Sequence, residues 1–365
     1  MRLSSDTPVT AFLPVMQNPS RAFLLGPLLK GVSRSFYLTL NVLPAGMRNP
    51  VGVAYLLARA ADTIADTALI PADQRLELLL SLRRCVNGTA ANDDSVRRIA
   101  SEVANQQKQS DEKVLLESLG AALVILSELS EADQTAVREI VTTLTQGMEY
   151  DLRTFPDERS GRVSALRAWD DLDRYTYLVA GCVGEFWTKM TYAHVPRALK
   201  GDRVTLMRNG VRFGKALQMV NVLRDCGKDL RIGRCYLPET MLHQAGLGAE
   251  DLLAPEASQR ARPLMFDLVR RTLAHFRAAI DYTFAIPAGS LRLRLACLWP
   301  ILIGLETLLL LVDNDDWLDP RKASKLKRGD VYRILARSTL SAPSNRLLRA
   351  WFDGLIAQIE TRLAR

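Results

Sequence analysis

A chain of 365 residues that is 48% hydrophobic and 24% charged has the apolar content for a large core, which excludes a disordered chain, and its length alone predicts about two domains. Its formal charge of +8 is concentrated: residues 321–365 carry eleven Lys or Arg against Asp330, Asp353 and Glu360, so the remainder is about neutral. That placement disfavours nucleic acid as a partner and predicts a basic tail that meets an anionic ligand or a membrane surface, with a merely solvated charged end as the alternative.

Along the chain, Pro8, Pro14 and Pro19 with no apolar stretch behind a basic start argue against a secretory signal. Five cysteines without a CxxC pair fit neither a disulfide framework nor a zinc site, and predict a cytoplasmic setting. Residues 55–67, YLLARAADTIADT, predict a helix bound for the interior that nevertheless carries Asp62 and Asp66. Apolar spacings of three and four predict further helices in QRLELLLSLRRCV, DEKVLLESLGAALVILSEL and RPLMFDLVRRTLAHFRAAI. Loops are predicted at 86–94, 154–162 and 237–255, where turn residues cluster.

In ALQMVNVLRDCGKDL, Asn221, Asp225 and Asp229 fall four apart, with Gln218 one turn before. The apolar run 295–312 is interrupted by Pro300, Gly304 and Glu306, and predicts a kinked helix in the wall of an apolar cavity ahead of a plain core helix or a membrane span. LLRAWFDGLIAQIETRL has amphipathic spacing that suits an interfacial helix or one docked on the core. No alternating strands with hairpin signals recur and no G-x-G-x-x-G follows a strand, so the fold is predicted to be all-α, without a Rossmann domain.

Unpaired carboxylates inside an apolar helix are costly, so the two acid pairs need compensation. Residues four apart share a helix face at about 5–6 Å. Two such helices facing each other would line one cavity with oxygen donors suited to Mg²⁺. Magnesium held this way keeps positions for substrate phosphates, and Arg59 and Arg224 could grip a diphosphate as forked donors. An apolar cavity beside the clamp then predicts an allylic isoprenoid diphosphate as substrate. Two buried salt-bridge networks remain the structural alternative.

VSRSFYLTLNVLPAGMRNPVGVAYLLARAADTIAD, RYTYLVAGCVGEFW, FGKALQMVNVLRDCGKDL and GRCYLP, in order over residues 33–238, resemble the successive signatures of the squalene and phytoene synthase family of head-to-head prenyl transferases. The resemblance implies one all-α isoprenoid-synthase bundle with a central apolar cavity. It spans residues 1–365 as a single domain, with 1–28 an N-terminal extension and 321–365 a basic flap and C-terminal helix. It implies Asp62, Asp66, Asn221, Asp225 and Asp229 as metal ligands and Ser33, Arg34, Tyr55, Arg59, Gln218 and Arg224 as diphosphate-binding residues. Tyr175 matches the tyrosine assigned to proton handling, and Tyr236 a second cavity tyrosine. Ala65 and Lys228 stand where relatives often have an acid, which implies a leaner metal shell, and Thr176 replaces a common Cys.

The implied reaction joins two farnesyl diphosphates through presqualene diphosphate. SKLKRGDV resembles the flap of squalene synthases that holds the phosphates of NADPH, implying cofactor contacts from Lys325, Lys327 and Arg328 with Arg34, Arg59 and Arg224. Together with SRSF, MRN and ARAADTIAD it favours squalene as product, whereas GRCYLP is the spelling of bacterial carotenoid and hopanoid branches. Dehydrosqualene or phytoene synthesis without reduction is the alternative, and a non-catalytic helical assembly protein is the alternative from another class. Cytoplasmic location with peripheral membrane contact completes the expectations.

Overall fold

The computed structural model describes residues 19–33, 36–89, 92–155 and 158–365. Helix α1 (Ala45–Asp66) starts after Pro44, whose extended backbone ends the preceding segment, and buries Leu56, Leu57, Ala60, Ala61 and Ile64 on one face. Asp62 and Asp66 are thereby left on the other side of its last turns. Helices α2 (Ala72–Val86) and α3 (Glu131–Thr154) pack against it. Ser130 caps α3 by accepting from Asp133 N at 3.2 Å, and Glu131 and Asp133 complement the positive end of the helix dipole.

Helix α4 (Trp169–Thr176) passes through a π-helical turn, Tyr177–Gly181, into α5 (Cys182–His194). Helix α6 (Arg203–Arg231) is capped by Asp202, which accepts from Thr205 N at 2.8 Å, and packs between α5 and α7 (Arg262–Ala285). The α5–α6 crossing is close enough to require glycine: a Cβ on Gly184 would lie 1.8 Å from Gly210 O, and one on Gly214 2.0 Å from Ala180 O. Helix α8 (Leu291–Val312) continues through Pro300. Its length and composition would suffice to cross a membrane, but 67% of its apolar window is buried in the protein.

Helices α9 (Arg328–Ser341) and α10 (Asn345–Leu363) close the chain. Helix α10 turns Leu348, Phe352, Leu355 and Ile359 onto α7 and α8, so its amphipathic pattern serves docking on the core. Buried side chains from Leu24 to Leu363 form one continuous core, and the two domains expected from length alone give way to one. The end of the segment set apart as an N-terminal extension belongs to that core, through Leu24 and Leu28.

Three local features depart from the sequence expectations. A two-stranded parallel ladder joins β1 (Ser164–Leu166) to β2 (Arg234–Pro238), too short to show alternation in the sequence. The helix expected in DEKVLLESLGAALVILSEL breaks at Ser118 into Ser110–Glu117 and Leu119–Ser127. The loop expected at 237–255 contains the helix Glu239–Gln244 and a 3-10 turn, Glu250–Leu253.

Candidate active site

Asp62 and Asp66 of α1 and Gln218 of α6 face one space. Asp62, Asp66, Asp151, Tyr175, Gln218 and Arg234 line a cavity of about 190 Å³. Asp229 belongs to the same electrostatic cluster, since Asp225, Asp151 and Asp66 all act on its carboxyl. An almost wholly apolar cavity adjoins it, walled by Phe36, Trp187, Phe213, Leu217, Tyr282 and Pro300. Val179 and Gln218 border the polar space while their chain neighbours Ala180 and Leu217 border the apolar one. The π-helical turn thus sets consecutive residues into both walls, and an amphiphile with a charged head and a hydrocarbon chain has adjoining compartments. The apolar cavity expected beside α8 is present, with Pro300 in its wall.

Burial sets the electrostatics of the acids. It pushes Asp62 up to about 7, with Asp66 adding to the shift and Arg59 opposing it. It pushes Asp229 to about 7, Asp225 adding and Arg234 opposing, and Asp151 to about 7 against Arg234 and two tyrosine hydrogen bonds. Asp66 is raised as well, burial outweighing Arg234, Arg59 and Arg75. The Asp62 side chain keeps 40% of its surface exposed, so water screens its shift more than that of Asp151, which keeps 13%.

The resident arginines are already engaged. Arg59 donates to Asp62 and to Glu112, each at 2.5 Å, and Arg224 pairs with Asp225. Arg234 lies 3.9 Å from Asp151 and 3.1 Å from Glu158, and Arg75 grips Glu158 with two hydrogen bonds of 3.0 and 2.8 Å. Four arginines therefore face Asp62, Asp66, Glu112, Asp151, Glu158, Asp225 and Asp229, and Asp151 Oδ1 is buried without a hydrogen-bond partner. An all-oxygen donor set short of positive charge suits a hard divalent cation. Among the described residues, no three of His, Cys, Asp or Glu converge closely enough to enclose one ion. A cation here would take phosphate and water oxygens as well.

Tyr175 from α4 and Tyr236 from β2 stack with ring centres 4.6 Å apart, and both donate to Asp151 Oδ2, at 3.3 and 2.8 Å. Burial and then the charge of Asp151 hold both phenols well above their usual range, so they remain protonated donors. Sequence reasoning missed Asp151, Arg234, Arg75 and Glu158. Strand alternation in GRCYLP could have paired Arg234 with Tyr236 on one face; a single Asp near the end of α3 gave no such signal.

Other expected residues are placed less directly. Ser33 donates within its own helix, to Leu29 O at 2.5 Å, and Tyr55 stacks on Phe36 at 5.4 Å. Gln218 Oε1 accepts from Asn221 Nδ2 at 3.3 Å. Arg34 lies outside the described residues. Lys325 is exposed, and its pKa is lowered chiefly by Lys228, with Asp225 opposing and Arg224 adding to the shift. Lys327 and Arg328 stand exposed where α9 begins. Of the positions where relatives often have an acid, Ala65 offers its carbonyl to Arg75 Nη1 at 2.8 Å, and Lys228 is exposed.

In EDTA, raising the pH from about 5 to about 8 is expected to lower the melting temperature. Folded Asp62, Asp151 and Asp229 hold protons up to about 7, whereas unfolded carboxylates release theirs near about 4. Across that window the native state binds more protons, so stability falls as pH rises. Glu77 and Glu102, held low by hydrogen bonds from Arg98, act in the opposite sense at lower pH, and His275, which burial lowers to about 4, offsets one of the three acids up to its unfolded value of about 6.5. Mg²⁺ with inorganic diphosphate should flatten the decline, because cations favour the ionised acids. Scanning calorimetry across this range checks the sign; a melting temperature that rises toward pH 8 in EDTA contradicts it.

The all-α fold and this acid-lined, two-compartment cavity suit a substrate with a diphosphate head and a hydrocarbon tail. The squalene/phytoene synthase family profile matches residues 29–329, and the chain belongs to that family, whose prenyltransferases join farnesyl diphosphate-type substrates head to head. A squalene synthase of Solanum lycopersicum is 26% identical over 329 residues, 89% of this chain and 72% of its own. The bifunctional lycopene cyclase/phytoene synthase of Colletotrichum graminicola is 28% identical over 258 residues, 70% of this chain but 41% of its own length. Among solved structures, TcSQS with a bound ligand aligns at a TM-score of 0.70 and 22% identity, covering 94% of this chain and 96% of that one. A dehydrosqualene synthase aligns at 0.61 and 20%, covering 87% and 94%.

Proposed function

We propose that this chain is a squalene synthase, which condenses two farnesyl diphosphates through presqualene diphosphate with Mg²⁺ and reduces that intermediate with NADPH. The observation that supports the reductive step is the packing of residues 318–322 on the end of α6, where Arg231 Nη1 donates to Leu318 O at 3.0 Å, so that Lys325 follows directly after a segment held against the second acid row. The charges of Lys228, Arg224 and Asp225 act on Lys325 there, and such a group of cations favours an anion of high charge, such as the phosphates of a nicotinamide cofactor or a substrate diphosphate.

Asp62, Asp66, Asn221, Asp225 and Asp229 are the donors proposed for Mg²⁺, which when bound neutralises diphosphate and makes it a leaving group. Arg59 and Arg224 are forked donors that can turn from Asp62 and Asp225 to phosphate oxygens once cations satisfy those acids. The apolar cavity holds the prenyl chain and keeps water from the allylic cation formed when diphosphate departs. The double bond of the second substrate attacks that cation, and loss of a proton closes the cyclopropane. Tyr175 can take that proton while passing its own to Asp151 Oδ2, so the phenol is regenerated and the proton rests on an acid poised near 7. Departure of the second diphosphate opens the ring, and NADPH, if held by Lys325, Lys327 and Arg328, would supply the hydride that gives squalene.

The 28% identity to a phytoene synthase favours a second reading, in which a proton leaves instead and the product is dehydrosqualene or, from C20 substrates, phytoene. A non-catalytic assembly protein has no use for so many desolvated acids around one cavity. Product identification after incubation with Mg²⁺ and farnesyl or geranylgeranyl diphosphate, with and without NADPH, tests the choice. Squalene formed only with NADPH is expected; phytoene or dehydrosqualene with NADPH present overturns the assignment.

The flap gives a separate prediction. Lys325→Ala combined with Lys327→Ala should raise the KM for NADPH at least about tenfold, since charge-assisted phosphate contacts contribute about 1.5–3 kcal/mol each. Presqualene diphosphate formation should be spared and unreduced or hydroxylated products should accumulate. Unchanged NADPH saturation in steady-state assays would remove the flap from the cofactor site.

A further inference from the structure

We infer that α9 is a docking helix that seats this protein on an anionic lipid bilayer. Helix α9 packs inward through Ile334 and Ser338, and Ser338 Oγ accepts from Trp299 Nε1 of α8 at 3.0 Å. Helical spacing sets Tyr332, Ala336 and Leu340 along the opposite face. Tyr332 is 67% exposed and Leu340 83%, the most exposed large apolar side chain among the described residues. Leu347, in the first turn of α10, is also exposed.

Exposed cations flank this apolar stripe: Lys327, Arg328 and Arg333 along α9, Arg346 beside Leu347, and Arg337, whose guanidinium lies 4.1 Å from the Trp351 ring centre. The opposing acids are Asp330, paired with Arg333, and Glu306 of α8, which faces Asp330, Arg333 and Arg337. The surplus is positive, and the residue types match a bilayer: Leu and Tyr enter the acyl boundary while arginines reach lipid phosphates. A nucleic acid would match the charge but leave Leu340 in water.

The location adds a purpose, and this clause alone rests on the function proposed above. Helix α9 packs on α8, which contributes Ala296, Cys297 and Pro300 to the apolar cavity. Docking through α9 would hold a wall of that cavity one helix away from the lipid into which a hydrocarbon product must pass.

The test uses the full chain and co-sedimentation with vesicles of phosphatidylcholine, alone or mixed with phosphatidylglycerol. Binding to the anionic vesicles that weakens with added salt is expected. Tyr332→Ser combined with Leu340→Asp should lower that affinity at least about tenfold while leaving the circular dichroism and the turnover of detergent-dispersed farnesyl diphosphate unchanged. Arg333→Gln combined with Arg337→Gln should weaken binding to anionic vesicles. Failure of the wild type to bind anionic vesicles, equal binding to neutral ones, or wild-type binding by the Tyr332/Leu340 variant overturns the inference. So does a concentration-dependent dimer in analytical ultracentrifugation that Leu340→Asp dissolves, since a second copy would then cover the stripe. Vesicle binding needs no turnover, so its failure is distinguishable from failure of the catalytic proposal.

Discussion

Asp225→Asn, and equally Asp62→Asn, should reduce turnover of farnesyl diphosphate at least about a hundredfold while leaving the fold intact. Each change keeps size and one oxygen but removes a carboxylate charge; disturbing even an outer-shell partner of a metal costs about 10–100-fold in affinity or activity. Asp62 already resists ionisation, with burial pushing it up to about 7, so the neutral amide should not destabilise the metal-free protein at pH 8. A structural salt bridge with Arg59 or Arg224 predicts the reverse: a lower melting temperature with little loss of rate. Mg²⁺ with inorganic diphosphate should raise the melting temperature of the wild type and fail to raise that of either variant. Activity within a few-fold of wild type at saturating Mg²⁺ would refute the two-row clamp.

Tyr175→Phe carries the second large effect, a loss of about 10²–10⁴-fold confined to formation of presqualene diphosphate. The variant keeps the ring stacked on Tyr236 and removes only the hydroxyl that donates to Asp151. Tyr236 continues to hold Asp151 Oδ2 at 2.8 Å, so the acid keeps a partner and the cavity should not collapse. Supplying presqualene diphosphate with NADPH separates the steps, because the second half-reaction closes no cyclopropane. Equal impairment on both substrates would show that the hydroxyl acts on binding or on the shape of the cavity.

The helices and both acid rows were legible in the sequence because helical periodicity and four-residue spacing are local properties. Asp62 and Asp66 stood out as charges in an Ala- and Leu-rich run, and Asp225 and Asp229 repeated the pattern. What the sequence hid depends on tertiary approach. Asp151 is one of several acids in α3 and looks solvated until α4 and β2 bring Tyr175 and Tyr236 over it. Arg75 reads as an ordinary polar position of α2, yet folding buries it almost completely against Glu158 and the carbonyl of Ala65. The π-helical turn after Thr176 leaves no mark in composition, and it decides which side chains reach the two cavity walls. The apolar face of α10 was legible, but whether lipid or core covered it was not; the exposed stripe proved to be on α9.

Diphosphate released against NADPH oxidised, measured in one reaction with farnesyl diphosphate and Mg²⁺, tests reductive head-to-head condensation most directly. Head-to-head condensation followed by reduction predicts two diphosphates for each NADPH, with release abolished by EDTA and squalene as the organic product. Continued diphosphate release with no NADPH consumed would contradict the reductive assignment, and farnesol as the product would contradict condensation itself.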